Sequence, residues 1–129
     1  RLFNRLGFRS DVRRVPMFGL GCVAGAAGIA RLNDYLRAWP DQVAVLLSVE
    51  LCSLTLQQQD FSIANLVSSG LFGDGAAAVV VAGAERELPA LERPGPKVKA
   101  TRSIFYPDSE RVMGWDISES GFQVVLSQC

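Results

Sequence analysis

Two short runs of small aliphatic residues constrain most strongly what this chain can fold into. One covers residues 43–49 and reads Val-Ala-Val-Leu-Leu-Ser-Val, and the other covers residues 76–82 and reads Ala-Ala-Ala-Val-Val-Val-Ala. Nearly continuous apolar runs of this length are typical of strands covered on both faces, whereas strands with one solvent face alternate apolar and polar residues. The sequence therefore predicts two buried strands in a mixed or parallel sheet.

Helical patterns alternate with these strands. Between residues 23 and 39, Ile29, Leu32 and Leu36 recur at helical spacing, and Pro40 stops the pattern. Strands that alternate with helices indicate an α/β fold, in which a sheet is flanked by helices on its faces.

Weaker patterns complete the predicted elements. A second helix is expected over residues 62–71, capped by Asp60 or Ser62. The end of a helix over residues 1–9, closed by Gly7, precedes a buried strand over residues 11–21.

The chain divides into two unequal parts. Residues 85–96 contain several prolines and charged residues, which favours a surface linker. After it, residues 97–106 and 115–126 alternate as two strands that could pair around residues 107–110. We therefore expect one part over residues 1–84, a linker over 85–96, and the first strands of a second part over 97–129.

Composition excludes several classes of protein. Lys plus Arg and Asp plus Glu are both 13, so the formal net charge is zero. The sequence therefore lacks the excess of basic residues that is typical of nucleic-acid-binding proteins. No apolar run could span a bilayer, and three scattered cysteines do not make a disulfide framework, so a cytoplasmic protein is expected. The basic residues near the start favour a solvated helix face and loop over an anion site; they are Arg1, Arg5, Arg9, Arg13 and Arg14.

Cys22 is the residue with the clearest chemical signal. It follows Gly19-Leu20-Gly21 and opens a helix of small residues, so its thiol is expected at a helix N-terminus. There the macrodipole and free N–H groups favour the thiolate, and the same N–H groups could stabilise the oxyanion of a thioester intermediate. The residues alone leave open the alternative that Cys22 is a small buried hydrophobic residue.

Several segments, in order and with their spacing intact, resemble type III polyketide synthases, the chalcone-synthase-like branch of the thiolase-fold condensing enzymes. They are Gly-Leu-Gly-Cys-Val-Ala-Gly-Ala at 19–26, Ser-Val-Glu-Leu-Cys-Ser-Leu-Thr at 48–55, Leu-Phe-Gly-Asp-Gly-Ala-Ala-Ala at 71–78, and the stretch from Tyr106 to Phe122. The resemblance covers essentially the whole chain and implies a partial thiolase-like fold with layered αβαβα architecture.

The resemblance also implies roles for five residues. Cys22 would be the nucleophile that accepts an acyl starter from coenzyme A. Phe72 would be the gatekeeper aromatic between the coenzyme A tunnel and the reaction cavity. Cys52, Thr55 and Trp115 would line that cavity. Residues 113–117 resemble members that make alkylpyrones or alkylresorcinols, whereas a cysteine at position 52 occurs in naphthol-forming members.

A type III polyketide synthase would load an acyl-CoA on Cys22, extend it by decarboxylative condensation with malonyl-CoA, and cyclise the product. Its other implied properties are a cytoplasmic homodimer, coenzyme A thioesters as substrates, and no metal or bound cofactor. The family completes its site with a histidine and an asparagine, and this chain contains no histidine. It is therefore expected to be an internal piece of a longer enzyme and inactive in condensation by itself.

Two alternatives to this function stay open. A ketoacyl-carrier-protein synthase III would condense once and would use malonate bound to a carrier protein. Testing malonyl-CoA against malonyl-carrier protein as substrates distinguishes it from a type III polyketide synthase. A non-catalytic thiolase-like subunit would serve dimerisation, although such subunits usually lose the nucleophile that Cys22 would supply.

Overall fold

The computed structural model describes residues 2–89 and 95–127. Its helices are α1 (Leu2–Arg5), α2 (Ala24–Ala38) and α3 (Ile63–Leu71), and its strands are β1 (Val43–Glu50), β2 (Gly75–Ala82), β3 (Met113–Ser118) and β4 (Gly121–Leu126). Two short 3₁₀ turns, Gly21–Val23 and Cys52–Thr55, precede α2 and follow β1.

Helix α2 confirms the strongest helical prediction. Its apolar side turns toward β1, and Leu36 on that side is only 6% exposed. The helix ends where the Trp39 N–H donates to the Tyr35 carbonyl oxygen at 3.0 Å, one residue before Pro40. The rings of Tyr35 and Trp39 stack with their centroids 4.9 Å apart, which reinforces this last turn.

Strands β1 and β2 pair in antiparallel register, from Val43 opposite Ala82 to Glu50 opposite Gly75. The parallel alternative of the sequence prediction is therefore not found for this pair, while the α/β alternation itself is present. The position of α3 explains the difference. A helix that crosses the sheet returns the chain to a parallel strand, but α3 packs against β4, beyond the end of β1. Strand β2 thus starts at the end where β1 finishes.

The burial of the two strands also differs from the prediction. Helix α2 covers one face of β1, so Ala44, Leu46 and Ser48 are partly buried while Val45 and Val49 on the opposite face are exposed. Strand β2 is mostly exposed. The aliphatic runs carry apolar residues on both faces, and the described residues cover only part of that surface.

Strands β3 and β4 form a separate antiparallel hairpin whose turn lies at residues 119–120. The predicted pairing of 97–106 with 115–126 is wrong, because residues 97–106 form no regular element and both hairpin strands lie after residue 112. Gly121 has a φ of +106°, and that left-handed backbone allows the sharp reversal after Ser120.

The predicted strand over residues 11–21 is also absent, since this segment is irregular and pairs with no strand among the described residues. Residues 90–94 of the predicted linker lie outside the described ranges, and the division into two parts stays a prediction. No helix within residues 2–89 and 95–127 combines the length and apolar character needed to cross a membrane.

Candidate active site

The turn that carries Cys22 is built by two glycines. Gly19 and Gly21 have φ values of +84° and +52°, a left-handed backbone that glycine adopts without strain. Residues 21–23 then form a 3₁₀ turn that continues directly into α2. Cys22 is exposed and lies at the helix start, where the sequence placed it, although no strand precedes it in residues 2–21. The alternative of a buried hydrophobic cysteine is not what the structure has.

The packing of α2 fixes the end of the sheet at which Cys22 lies. Only residues 39–42 connect α2 to β1, so the helix runs back along the strand in the opposite direction. A Cβ atom on Gly28 would come within 2.6 Å of the Leu46 side chain, which marks a close approach between the two elements. Cys22 precedes Gly28 on the helix side and Cys52 follows Leu46 on the strand side. Because α2 and β1 run in opposite directions, both cysteines lie beyond this contact at the same end of the α2–β1 pair.

A cavity of about 220 Å³ lies at the carboxyl end of β1. Four of the five predicted site residues line it: Cys52, Thr55, Phe72 and Trp115. Cys22 is not part of this lining. The structure thus brings the predicted cavity residues together, and it leaves the predicted nucleophile outside that group, so the roles of all five residues stay predictions.

The sequence did not single out the other residues that line the cavity. They are Ser53, Leu56, Asn65, Ser68, Ser69, Gly73, Asp74, Phe122 and Val124. Phe122 lies on the same alternating segment as Trp115, so the strand pattern could have indicated it. The polar residues gave no such signal, because Ser, Asn and Asp at turns and caps are common in any chain.

Three aromatic rings form one wall of the cavity. The Phe72 and Trp115 ring centroids are 6.3 Å apart, and Trp115 meets Phe122 edge-on at 6.1 Å. Such tilted and perpendicular pairs are favoured because the positive ring edge meets a negative face. Phe72 follows α3 whereas the other two rings belong to the hairpin, so this wall brings the end of α3 and the hairpin together.

A carboxylate clamp between Asp74 and Ser53 forms another part of the cavity lining. The two Asp74 oxygens accept hydrogen bonds from the Ser53 backbone N–H at 2.8 Å and from the Ser53 hydroxyl at 2.7 Å. These two bonds favour the ionised carboxylate and lower the pKa of Asp74, against a small opposing effect of desolvation. The clamp ties the turn containing Cys52 and Thr55 to the Gly73–Gly75 segment.

An amide link connects the same turn region to the hairpin. The Gln57 side-chain nitrogen donates to the carbonyl oxygens of Ser120 and Phe122, both at 3.1 Å. The Gln57 carbonyl oxygen in turn accepts from the Asn65 side-chain nitrogen at 2.9 Å. Asn65 is buried on the first turn of α3 and also donates to the Asp60 carbonyl oxygen at 2.6 Å.

Three of the basic residues near the start of the chain, Arg9, Arg13 and Arg14, contact neighbouring side chains. The Arg13 guanidinium lies 4.8 Å from the Trp39 ring centroid, and that of Arg14 lies 5.3 Å from the Phe3 ring. Arg9 pairs with Asp11 and lowers the pKa of that carboxyl group. These contacts agree with the predicted solvated surface and give no reason to place an anion there.

Comparison with known proteins identifies the class that this arrangement defines. Residues 1–85 match the family model of the chalcone and stilbene synthases, N-terminal domain. The chain therefore belongs to the chalcone and stilbene synthase family, as its sequence segments had suggested.

The curated relatives that this chain resembles include tetrahydroxynaphthalene synthases and a phloroglucinol synthase. A 1,3,6,8-tetrahydroxynaphthalene synthase from Streptomyces peucetius subsp. caesius is 60% identical over 98% of this chain and 33% of its own length. A phloroglucinol synthase from Pseudomonas fluorescens is 34% identical over 98% of this chain and 35% of its own length.

A solved structure agrees with the fold. The crystal structure of the 1,3,6,8-tetrahydroxynaphthalene synthase from Streptomyces coelicolor A3(2) superposes with a TM-score of 0.82 at 37% identity, covering 98% of this chain and 34% of that one. The partial thiolase-like α/β fold expected from the sequence is thereby confirmed. The chain spans about a third of the length of the relatives it matches.

Proposed function

We propose that the protein containing this sequence is a type III polyketide synthase that uses Cys22 as its acyl carrier. The observation that carries the proposal is the family match over residues 1–85, which includes an exposed cysteine on a glycine turn at the start of α2. The match is to the chalcone and stilbene synthases, which favours this branch over ketoacyl-carrier-protein synthase III. The retained cysteine argues against a non-catalytic subunit.

Loading is the step that this chain's own residues can perform. The Cys22 thiolate attacks the carbonyl carbon of an acyl-CoA, a new carbon–sulfur bond forms, and coenzyme A leaves as the free thiol after protonation. Backbone N–H groups at the start of α2, which lack partners within the helix, would stabilise the oxyanion of the intermediate. The product of this step is an acyl-enzyme in which the acyl group is bound to the exposed Cys22 sulfur.

Extension requires a carbon nucleophile. Malonyl-CoA loses carbon dioxide, and the enolate that forms attacks the acyl-Cys22 carbonyl, which releases the Cys22 thiolate and lengthens the chain by two carbons. The enolate oxygen needs hydrogen-bond donors, and we assign these to a histidine and an asparagine in the rest of the parent protein. Phe72, Trp115 and Phe122 would exclude water from this reaction and hold the growing chain against an apolar wall.

The similarity to the two tetrahydroxynaphthalene synthases supports a hydroxylated naphthalene as the product. Cys52 on the cavity wall agrees with that subgroup, because a cysteine at this position was the feature that resembled naphthol-forming members. Alkylpyrone or alkylresorcinol formation is the alternative product class. Incubation of the parent protein with malonyl-CoA, with and without long-chain acyl-CoA starters, followed by mass analysis of products, separates the two.

We further propose that the parent protein works as a cytoplasmic homodimer on coenzyme A thioesters, without a bound cofactor or metal. The family resemblance supports the dimer and the substrates, and the lack of a disulfide framework supports a reducing compartment. Size-exclusion chromatography with light scattering tests the dimer.

The test of Cys22 uses acyl-enzyme formation as its readout. We expect acyl-CoA to add one acyl mass to the parent protein, and Cys22→Ala to abolish both this adduct and the polyketide product. Cys52→Ala is the matched control, because Cys52 is the other described thiol and lies half-buried in the cavity wall. Peptide mapping that places the acyl group on Cys52, or an adduct that survives Cys22→Ala, would contradict the proposal.

A further inference from the structure

Gln57 makes a contact that neither the family match nor the proposed chemistry explains. It lies in the loop after the Cys52–Thr55 turn, yet its side chain reaches a hairpin more than sixty residues further along the chain. Both hydrogens of one amide nitrogen are used, one for the Ser120 carbonyl oxygen and one for the Phe122 carbonyl oxygen, each at 3.1 Å. Only a primary amide or a cationic side chain could satisfy both acceptors in this way.

The backbone of the hairpin is shaped for this contact. Gly121 lies between the two acceptors with a φ of +106°, and a Cβ atom built on it would lie 3.5 Å from the Gln57 amide nitrogen. The turn therefore presents two carbonyl oxygens on one side.

The other end of Gln57 is held firmly. Its backbone carbonyl oxygen accepts from buried Asn65, which also donates to the Asp60 carbonyl oxygen. Asn65 is on the first turn of α3, where the Ser62 hydroxyl accepts the Asn65 N–H at 3.2 Å. Gln57 thus connects the fixed start of α3 to the hairpin.

The hairpin carries Trp115 and Phe122, two of the three rings in the cavity wall. Cys52 and Thr55 belong to the turn that Gln57 follows. The distance between these two sides determines the width of the cavity at the aromatic wall. We propose that Gln57 is a positioning residue that sets this width and thereby selects the length and bulk of the acyl chain that the enzyme extends.

This inference rests on the proposed function, because it concerns the substrate choice of the same cavity. The inference about Gln57 makes predictions that the proposed function by itself does not make. Loading on Cys22 does not require the hairpin, since Cys22 lies outside the cavity lining, so a change at Gln57 should leave acyl-enzyme formation nearly intact. The growing chain does contact the hairpin wall, so its partition between products should change.

The experiment compares Gln57→Glu and Gln57→Met with Gln58→Glu and Gln59→Glu in the parent protein. Glu removes both donors and places a charge against two carbonyl oxygens, whereas Met removes the donors at similar size. Gln58 and Gln59 are exposed neighbours of the same type, so their variants control for the charge change. The readouts are Cys22 acylation, melting temperature, and kcat/KM for a series of acyl-CoA starters of increasing length.

We expect both Gln57 variants to change the ratio of kcat/KM between long and short starters by about tenfold or more, as small displacements near reacting groups do. Cys22 acylation by the shortest starter should stay within about twofold, and the two controls should match the unmodified protein. An unchanged ratio, or a uniform loss for all starters that follows the melting temperature, would overturn the inference. If the unmodified parent forms no polyketide, the proposed function fails and the inference falls with it.

Discussion

The Asp74 carboxylate is the described cavity group whose ionisation is most clearly coupled to a structural contact. Both of its oxygens accept hydrogen bonds from Ser53, and these bonds lower the pKa of Asp74 in the folded state. A carboxyl group with a depressed folded-state pKa adds stability above its unfolded pKa of about 3.9. That contribution is lost as the pH falls through the folded-state pKa.

We therefore expect Asp74→Asn to lower the melting temperature of the parent protein at pH 7, and the difference to shrink as the pH falls below about 4. Thermal melts of both proteins between pH 7 and pH 3 measure this. Asp108→Asn is the control, because Asp108 is exposed with a φ of +54° that suits asparagine equally well. A constant difference at all pH values would show that ionisation of Asp74 plays no part.

Single residues of the site were predictable only where their type is rare in its setting. Cys22 stood out by its own setting between glycines, whereas the four predicted residues that line the cavity, Cys52, Thr55, Phe72 and Trp115, came from the resemblance. Gln57 and Asn65 could not be found, because their function depends on partners that only folding brings near.

At the scale of elements, the approach between the start of β1 and the end of β2 depends on one glycine. Gly83 is buried directly after β2, and its N–H donates to the Gln42 carbonyl oxygen at 2.9 Å. A Cβ atom there would overlap the Pro40 carbonyl group and lie 2.8 Å from the Pro40 Cα atom. Backbone atoms cannot move aside as a side chain can.

We expect Gly83→Ala to destabilise the parent protein by about 2–3 kcal/mol, as overpacking does. Gly70→Ala is the matched substitution in α3, where nothing lies within 4 Å of the added Cβ atom, and it should stabilise by about 0.5–1 kcal/mol through helix propensity. Urea unfolding of both variants measures the two free energies. Equal and small effects would contradict the close approach at Pro40.

The helices could be predicted from the sequence and the strand pairing could not. Helices α2 and α3 are specified locally, by periodic apolar residues and by the Ser62 cap that accepts the Asn65 N–H. Strand direction depends instead on where the intervening helix packs, and α3 packs on the hairpin rather than across the sheet. After residue 97, the predicted strand over 97–106 is absent, and the predicted single strand over 115–126 is instead most of a two-stranded hairpin with its turn at residues 119–120.

At the scale of the whole molecule, the accessible surface is large. It amounts to 11403 Å², whereas a compact monomer of this size exposes about 6,700 Å². Large apolar side chains contribute to it, including Phe18 at 96% and Val15 at 82% exposed. These faces need a cover that the described residues do not provide.

We expect residues 1–129, produced alone, to show no sharp thermal transition, to bind a hydrophobic dye, and to form no polyketide. The parent protein should melt cooperatively and bind little dye under the same conditions. Calorimetry and dye fluorescence of the two measure this, and a cooperative melt of the isolated chain would contradict the expectation.

The contacts that close the cavity have a consequence for the order of folding. Ser53 and Asp74 are separated by 21 residues, and Gln57 is separated from Ser120 and Phe122 by 63 and 65. Loops of that length close more slowly than the local turns that form α2, and the ribosome releases α2 before the hairpin. Cys22 therefore emerges on a nearly formed helix before the walls of the cavity come together, so the start of α2 takes shape earlier in folding than the cavity does.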